Sequence, residues 1–267
     1  MQKDKAKNRA IWRIGQKVLL AVLVIWLTLA PRYVQDGPVS DTVSVGPVSA
    51  DSAAALPADE AELPVFQGEP FAFMEDNVPD FTEQEKAADV FETYSPLDEY
   101  GRCGAAYANL CAELMPTEKR ESISDVYPSG WKYAGASNNH KYDSDLVDGG
   151  YLYNRCHLIG FQLAGENANE LNLITGTRYL NVEGMLPFEN MVADYIKETS
   201  HHVLYRVTPC YVGGELVARG VRIEAWSIED DGDGICFDVY CFNVQPGIEI
   251  DYLTGQNCLA DELDAAA

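Results

Sequence analysis

One histidine stands where its chemistry could be used, at the end of the sequence Asn154-Arg155-Cys156-His157. An imidazole has an ordinary pKa of about 6.5, so its neutral form can take a proton from water at physiological pH. The apolar residues that follow, beginning with Leu158, are typical of a strand. A lone histidine on a strand is more often structural than catalytic, so a catalytic assignment needs further polar groups nearby.

Asparagine is dense in the segment that follows this histidine. Its amide oxygen is a ligand for hard divalent cations. Asn181 and Glu189 lie eight residues apart, a separation that turns a helix by about 800° and leaves the side chains within about 80° of each other. Both could face one site if the helix continues through Pro187 with a mild kink. Capping and turn formation are the alternative for any single asparagine. The asparagines concerned are Asn167, Asn169, Asn172, Asn181 and Asn190.

The elements predicted around these residues form an α+β fold, with a central antiparallel sheet flanked by helices. Residues 185–199 predict an amphipathic helix with Pro187 near its start, and residues 105–115 predict a second helix that Pro116 ends. Thr82 and Glu85 have the spacing of a capping box. Segments rich in Val, Ile, Tyr and Phe predict the strands 70–77, 152–163, 201–212, 216–228 and 234–244.

Several motifs of this chain resemble those of the DNA/RNA non-specific endonucleases, which are ββα-metal (His-Me finger) nucleases. The similarity is greatest to the branch of competence-associated DNA-entry nucleases. It extends over about residues 65 to 255. The resemblance implies a ββα-metal active-site motif within the α+β fold. The motifs, in the family's order, are LDEYGRCG, LMPTEKRESI, PSGW, NRCHLIG, NLITGTRYLN, MLPFEN and NVQPGIEIDY.

Carried over by motif, the family's catalytic histidine falls on His157 and its magnesium-binding asparagine on Asn181. The glutamate that holds the metal's waters falls on Glu189. A second family asparagine, which positions the histidine or the phosphate, falls on Asn172. The resemblance implies a Mg²⁺-dependent endonuclease, with Mn²⁺ as a substitute, that cuts DNA and RNA and leaves 5′-phosphate ends. It also implies that a backbone carbonyl orients the imidazole through its second nitrogen.

Two arginines are candidates for holding phosphate oxygens: Arg155 in the signature and Arg178 in TRYLN. The family signature Asp-Arg-Gly-His is altered at two positions. Asn154 replaces Asp, which removes a negative charge near the site and could alter how the histidine is oriented or how tightly metal is held. Asn154 is also a candidate substrate-binding residue. Cys156 replaces Gly, which requires a backbone that tolerates a side chain. Neither change touches the base or the metal ligand, so activity is expected.

Two alternatives to an active nuclease remain. The domain could be an extracellular nucleic-acid-binding or DNA-uptake component that has lost catalysis through the two changes in the signature. It could also be a toxin nuclease paired with an immunity protein, although nothing in the chain indicates a protein partner. DNA retention without cleavage would identify the first alternative, and stable co-purification with a partner would identify the second.

The formal net charge of −23 over 267 residues argues against a protein that coats nucleic acid through bulk positive charge. It does not exclude an enzyme that contacts a few phosphates at a local site. The sequence has no helix-turn-helix, zinc finger or aromatic RNA-binding motif that would recognise bases. This pattern favours a nuclease without sequence preference.

The amino-terminal residues differ from the rest. Residues 1–31 combine six basic residues with an apolar run at 18–30, typical of a signal peptide or an uncleaved signal anchor. The run is shorter than the roughly 20 residues of a membrane span. Pro31 disfavours cleavage after Ala30. Either alternative predicts a protein outside the cytoplasm, secreted or tethered to the outer face of the membrane by this segment.

Composition divides the remaining chain into three parts. Residues 32–64 are rich in Pro, Ser, Ala and Asp and predict a disordered linker, 65–256 predict the nuclease domain, and 257–267 predict an acidic tail. The seven cysteines are an odd number, and an exported location permits disulfides. A bridge between Cys103 and Cys156 is one option.

Overall fold

The computed structural model describes residues 57–58, 63–74 and 76–260. Its strands are β1 (Pro57–Ala58), β2 (Phe71–Phe73), β3 (Glu92–Tyr94), β4 (Ala106–Leu110), β5 (Lys132–Tyr133), β6 (Ala136–Ser137), β7 (Tyr153–His157), β8 (Leu173–Thr177), β9 (Val203–Val212), β10 (Gly220–Ser227), β11 (Cys236–Phe242), β12 (Ile248–Ile250) and β13 (Asn257–Leu259). Its helices are α1 (Glu83–Lys86), α2 (Phe161–Ala164) and α3 (Leu186–Thr199), with a 3₁₀ turn at Glu170–Asn172 and a π-helical segment at Leu180–Met185.

A large antiparallel sheet forms the centre of the described part, in the order β2-β11-β10-β9-β4-β3, and β1 adds a short parallel pairing to the end of β9. Alternate residues of a strand point to opposite faces. In β9, β10 and β11 these alternate residues are apolar on one face and form the main core. The core residues of these strands are Val203, Tyr205, Val207, Val221, Ile223, Ala225, Phe237, Val239 and Cys241.

The elements that carry the candidate site pack on that apolar face. β7 and β8 form a separate antiparallel pair in which His157 lies opposite Leu173. The chain then enters the π-helical segment and α3, whose buried side chains join the same core as the sheet. The site is therefore built on regular elements that a large apolar core holds in place. The core residues of α3 are Phe188, Val192, Ala193 and Ile196.

Most of the predicted elements are confirmed. The three long strands correspond to β9, β10 and β11, and the predicted helix 185–199 corresponds to α3. The capping box is present, because Thr82 Oγ1 accepts from the Glu85 N–H and the Glu85 carboxylate accepts from the Thr82 N–H. The helix that it begins is only four residues long.

The predicted helix 105–115 is wrong. Its first half is β4, which pairs with β3 on one side and with β9 on the other. All five residues of β4 are buried. A short apolar run that is buried on both faces has no period that separates strand from helix. Its Ala and Leu residues favour a helix locally, and the pairing with two neighbouring strands overrides that preference.

The structure also bears on the ends of the domain and on the cysteines. Asn257–Leu259, which were predicted to begin the acidic tail, pair with β12. Pro57–Ala58, within the predicted linker, pair with β9. The predicted signal segment 1–31 lies outside the described residues, among which no helix is both long and apolar enough to cross a membrane. All seven cysteines are free, so the Cys103–Cys156 bridge is wrong.

Candidate active site

A cavity of about 580 Å³ lies where β7, α2, the π-helical segment and α3 meet. Its lining residues come from the segment 120–139, from β7 and the residues on either side of it, and from the stretch 178–189. Six of the seven predicted site residues line this cavity: Asn154, Arg155, His157, Arg178, Asn181 and Glu189. The fold therefore brings together side chains that are as far as 35 residues apart in the sequence, from Asn154 to Glu189.

His157 is held by a backbone carbonyl through one nitrogen and offers the other to the cavity. It ends β7 and is only 7% exposed. Its Nε2 lies 2.8 Å from the carbonyl oxygen of Asn167, and because a carbonyl only accepts, Nε2 carries the proton. Nδ1 is left as the proton acceptor, 3.5 Å from Arg120 Nη2. This is the arrangement that a general base requires.

The surroundings of His157 keep it neutral. Burial lowers the pKa of His157, and the positive charge of Arg120 acts in the same direction. The hydrogen bond to the Asn167 carbonyl opposes these effects and is smaller than the effect of burial. A pKa below the ordinary value leaves the imidazole unprotonated at neutral pH, which is the form that can accept a proton.

Asn181 lies in the π-helical segment that precedes α3. The N–H of Leu186 donates to the carbonyl of Asn181 five residues earlier, the hydrogen bond of a π turn. Pro187 follows at once; it lacks an N–H, and in an α-helix its ring would clash with the carbonyl four residues before it. The wider turn relieves that clash. A π turn also rotates the chain by less than the roughly 100° per residue of an α-helix. The rotation from Asn181 to Glu189 is therefore closer to two full turns than the roughly 800° of a regular α-helix, so the two side chains lie more nearly on one face.

The donor set on this wall of the cavity fits a hard divalent cation. The side-chain amide of Asn181 has no hydrogen bond to any residue that the structure describes, although the residue is partly buried. Burial raises the pKa of the neighbouring Glu189 carboxyl to about 7, while Gln162 and the charge of Arg120 oppose the rise. An unused amide oxygen and a buried carboxyl whose charge Arg120 offsets only in part are groups that Mg²⁺ or Mn²⁺ would satisfy.

Gly160 makes room for the Glu189 carboxylate. A Cβ on Gly160 would lie 2.7 Å from Glu189 Oε2 and 2.8 Å from its Cδ. Such distances are too short, and the atom that can move is the end of the flexible glutamate side chain. The backbone of Gly160 itself is in an ordinary extended conformation, with φ of −58°. A glycine is therefore required at position 160 because a side chain would collide with the Glu189 carboxylate, and not because of the backbone conformation.

Gly160→Ala should displace Glu189 without unfolding the protein. The role that the resemblance implies for Glu189, orienting the metal's water shell, predicts a fall in activity of about 10- to 100-fold, while the melting temperature changes little. Initial rates of plasmid cleavage and a thermal melt measure the two effects. Gly214→Ala is the matched control, because the nearest atom to its added Cβ would be 3.7 Å away, on Tyr100. Unchanged cleavage by Gly160→Ala would contradict a role for the Glu189 position.

The two arginines predicted to hold phosphate differ in their surroundings. Arg155 donates from Nε to the Val126 carbonyl and from Nη2 to the Ser124 carbonyl, so much of its guanidinium holds the 124–126 backbone at the edge of the cavity. Arg178 pairs with the exposed carboxylate of Asp148 at 2.9 Å, and its Nε is buried without a partner among the described residues. Arg178 is therefore the more available of the two.

Asn172 is the predicted site residue that the fold keeps out of the cavity. It is fully buried, its Oδ1 accepts from the N–H of Ile159, and its Nδ2 donates to the carbonyl of the same residue. Its backbone carbonyl also accepts from the Leu158 N–H. These bonds hold the turn that follows His157. Of the two predicted roles, positioning the histidine fits this geometry and contact with phosphate does not.

Asn172→Ala should destabilise the fold by about 2–6 kcal/mol. The substitution leaves a buried N–H and a buried carbonyl of Ile159 without partners, at about 1–3 kcal/mol each. Urea unfolding of the full chain measures the loss. Asn190→Ala is the control, since Asn190 is exposed and its amide bonds only to Gln162 among the residues that the structure describes. A loss of less than about 0.5 kcal/mol, the range of ordinary surface substitutions, would contradict this account.

The two departures from the family signature have different consequences. The Cys156 side chain points into the core, where a Cβ on Gly176 would lie 2.4 Å from its Sγ. Gly176 on the paired strand thus leaves the space that the thiol fills. Asn154 places its Oδ1 3.5 Å from Arg178 Nη1, a weak contact where an aspartate would offer a full charge. His157 lines the cavity with both changes present.

Sequence reasoning did not single out Arg120. Its guanidinium lies against His157 Nδ1 and lines the cavity, and its charge bears on both His157 and Glu189. The residue belongs to the motif LMPTEKRESI, whose charges are typical of a solvated surface segment. Nothing local distinguishes Arg120 from the adjacent Lys119, because only the tertiary structure directs one of them toward the cavity.

Comparisons with known proteins agree with these observations. The model of the DNA/RNA non-specific endonuclease family matches residues 81–228. A deoxyribonuclease from Streptococcus dysgalactiae subsp. equisimilis is 29% identical over 197 residues, which cover 61% of this chain and 59% of that relative. The chain therefore spans less than two thirds of the length of this curated relative.

Two solved structures share the fold. NucA from Streptococcus agalactiae, with a bound magnesium ion, has a TM-score of 0.61 at 23% identity, covering 74% of this chain and 90% of that one. Sda1 nuclease, with a bound zinc ion, has a TM-score of 0.59 at 29% identity, covering 72% and 97%. Because the family model matches more than half of the chain, the protein belongs to the DNA/RNA non-specific endonuclease family.

Proposed function

We propose that the protein is an endonuclease that uses one divalent metal ion to hydrolyse phosphodiester bonds of DNA and RNA without sequence preference, leaving 5′-phosphate ends. The observation that carries the proposal is the state of His157. Its Nε2–H is bound to the Asn167 carbonyl and its Nδ1 faces a cavity that also contains Asn181 and Glu189. The 29% identity to a deoxyribonuclease and to Sda1 nuclease supports the reaction class.

The elements around the cavity support a ββα-metal active-site motif. β7 and β8 pair antiparallel, and the helical stretch that follows them carries Asn181 and Glu189. The histidine ends the first strand, while the asparagine and the glutamate come from the helical part. Two rigid parts that share one core can hold their side chains to within a fraction of an ångström, which catalysis requires.

In this proposal His157 is the general base. Its Nδ1 takes a proton from the water that attacks phosphorus, and the positive charge that forms on the ring is stabilised through Nε2–H by the Asn167 carbonyl. Arg120 and Arg178 hold non-bridging phosphate oxygens next to the base. Arg155, whose guanidinium already donates to two backbone carbonyls, supports the wall of the cavity against which the substrate lies.

Asn181 would hold the metal ion, and Glu189 would orient the water molecules around it. When bound, the ion neutralises the negative charge that develops on the leaving 3′ oxygen. We propose Mg²⁺ as the natural ion, with Mn²⁺ as a substitute. The amide and carboxylate donors are oxygen ligands of the kind that hard ions prefer. The bound magnesium of NucA agrees with this choice, whereas the bound zinc of Sda1 shows that a protein of this fold also accepts another ion.

The same groups account for cleavage without sequence preference. Arginines that grip phosphate contact the part of the nucleic acid that carries no base information. Three arginines and one carboxylate line the cavity, so the site is locally positive within a chain of net charge −23. A small positive site in an acidic protein captures phosphate locally and releases the product readily, and its binding weakens with salt.

The decisive test is digestion of supercoiled plasmid by the full chain with Mg²⁺, without added metal, and with a chelator. We expect nicked and linear products with Mg²⁺ only, and 5′-phosphate ends that are ligated without prior kinase treatment. Plasmid that is bound but never cut, with any divalent ion, would instead identify the binding component that has lost catalysis. Neither binding nor cutting would reject a role in nucleic-acid chemistry.

We also propose that the protein acts outside the cytoplasm. The support is the basic segment followed by the apolar run at 18–30. Nuclease activity in the medium of producing cells would indicate a secreted protein, and activity that stays with washed whole cells would indicate a tethered one. Activity confined to lysed cells would contradict the proposal.

A further inference from the structure

An exposed aromatic ring stands at the wall of the cavity. Tyr151 lines the cavity, and yet it is 53% exposed. Single exposed aromatic residues are ordinary on protein surfaces. Two more tyrosines of the same chain segment are also exposed, Tyr127 at 54% and Tyr133 at 44%. Tyr151 differs from the other two tyrosines because it lies beside the proposed reaction site, where an exposed ring can contact the substrate.

The backbone around Tyr151 is fixed, so the exposure of its ring is built into the structure. Tyr151 forms an antiparallel bridge with Lys141. The N–H of the next residue, Leu152, donates to the His140 carbonyl, and the N–H of Tyr153 donates to Asn139 Oδ1 at 2.8 Å. The ring is therefore presented at a defined place on the cavity wall.

Positive charge accompanies the exposed rings. Lys141 Nζ lies 5.8 Å from the centroid of the Tyr151 ring, and Lys132 Nζ lies 3.5 Å from that of Tyr127. The Arg155 guanidinium lies 5.5 Å from the same Tyr127 ring. Two cations therefore occupy the surroundings of Tyr127, whereas the ring of Tyr151 has one cation at the limit of contact. Of these three tyrosines only Tyr151 lines the cavity, so its ring is the one open to a planar ligand there.

We propose that Tyr151 stacks on an unpaired base next to the scissile phosphate, and that Lys141 contacts a neighbouring phosphate of the same strand. This inference rests on the proposed nuclease function and adds to it a preference for single-stranded over duplex nucleic acid. In a duplex both faces of a base are covered by its neighbours, so only an unpaired base can offer a face to the ring. Stacking ignores base identity, since every base has a π-face, and this agrees with cleavage without sequence preference.

Binding without cleavage tests the proposal. The full chain is titrated, with chelator present, into a fluorescein-labelled 12-nucleotide single strand and into the same sequence as a duplex, with anisotropy as the readout. Tyr151→Ala should weaken single-strand binding about 5- to 100-fold, the range of one lost base–aromatic stack. Tyr151→Phe should stay within about twofold, because it keeps the ring. Tyr100→Ala, at an exposed tyrosine outside the cavity lining, should have no effect.

Two further measurements assign the contacts. Single abasic sites are moved along the strand: the wild-type protein should lose affinity at one position, and Tyr151→Ala should lose none there. Lys141→Gln should reduce the slope of log K against log salt by about 0.7, the value for one phosphate contact on a single strand. An unchanged slope would remove Lys141 from the proposal.

The outcomes separate this inference from the proposed function. If the wild-type protein cuts plasmid but Tyr151→Ala binds the single strand normally, stacking is rejected and the nuclease assignment stands. Equal weakening of single-strand and duplex binding would make Tyr151 a general contact and reject the preference for unpaired bases. If the wild-type protein neither binds nor cuts nucleic acid, both proposals are rejected.

Discussion

His157→Ala should lower kcat for plasmid cleavage about 10²- to 10⁴-fold, the contribution of a positioned general base. The alanine removes the Nδ1 that accepts the water proton, and no other neutral imidazole lines the cavity in the described part of the chain. Binding of nucleic acid should change far less, because the arginines of the cavity remain. The expected signature is therefore a fall in kcat with little change in KM.

The controls for this substitution separate catalysis from folding. His140→Ala removes an exposed histidine that does not line the cavity, and it should cleave like the wild type. Added imidazole should restore part of the activity of His157→Ala, since the space vacated by the side chain can admit a free base. Full activity of His157→Ala, or a loss that accompanies unfolding in a thermal melt, would contradict the role of His157 as base.

The pH profile gives an independent measure of the same group. Because the pKa of His157 is lowered, mainly by burial, a smaller fraction of the base is protonated at pH 6.5 than for an ordinary histidine. The acid limb of kcat/KM should therefore have its midpoint below the ordinary histidine value, and activity should fall as pH falls through it. Arg120→Ala removes a positive charge that lowers the pKa, so its midpoint should move upward. If the midpoint of the acid limb is the same in Arg120→Ala as in the wild type, the acid limb reports the titration of another group.

Asn181→Ala should reduce cleavage at moderate Mg²⁺ by about 10²- to 10³-fold. The substitution removes the amide oxygen proposed to hold the ion, whose stabilisation of the transition state is worth several kcal/mol. Alanine is the best helix former, so the helical stretch should persist. Raising the Mg²⁺ concentration should recover part of the activity, because the residue acts on metal affinity.

Metal binding can be followed without any reaction. Calorimetric titration of the full chain with Mn²⁺, in the absence of nucleic acid, should show a site in the wild type that is weakened in Asn181→Ala. Asn181→Asp keeps an oxygen donor and should bind the ion. Glu183→Ala changes an exposed residue of the same π-helical segment and should leave metal binding intact. Equal Mn²⁺ affinity in the wild type and in Asn181→Ala would remove Asn181 as the ligand.

Much of the fold follows from local sequence patterns. The strands β9, β10 and β11 and the helix α3 were predictable because each is long and has a clear hydrophobic period. Residue chemistry and helical spacing raised His157, Asn181 and Glu189 as candidates, family motifs gave them their expected roles, and the structure gathers them at one cavity. β4 was not predictable, because a strand buried on both faces is defined by its neighbours and not by its own period.

Sequence by itself determined which side chains are present to act as base and oxygen ligands, because the covalent chain fixes the residue types and their spacing. Tertiary structure decided how those side chains can act. The π turn brings Asn181 into line with Glu189, the Asn167 carbonyl fixes which nitrogen of His157 is the proton acceptor, and Gly160 leaves room for the carboxylate. These features depend on atoms of different segments meeting within a few ångströms, and only the packed core sets such distances.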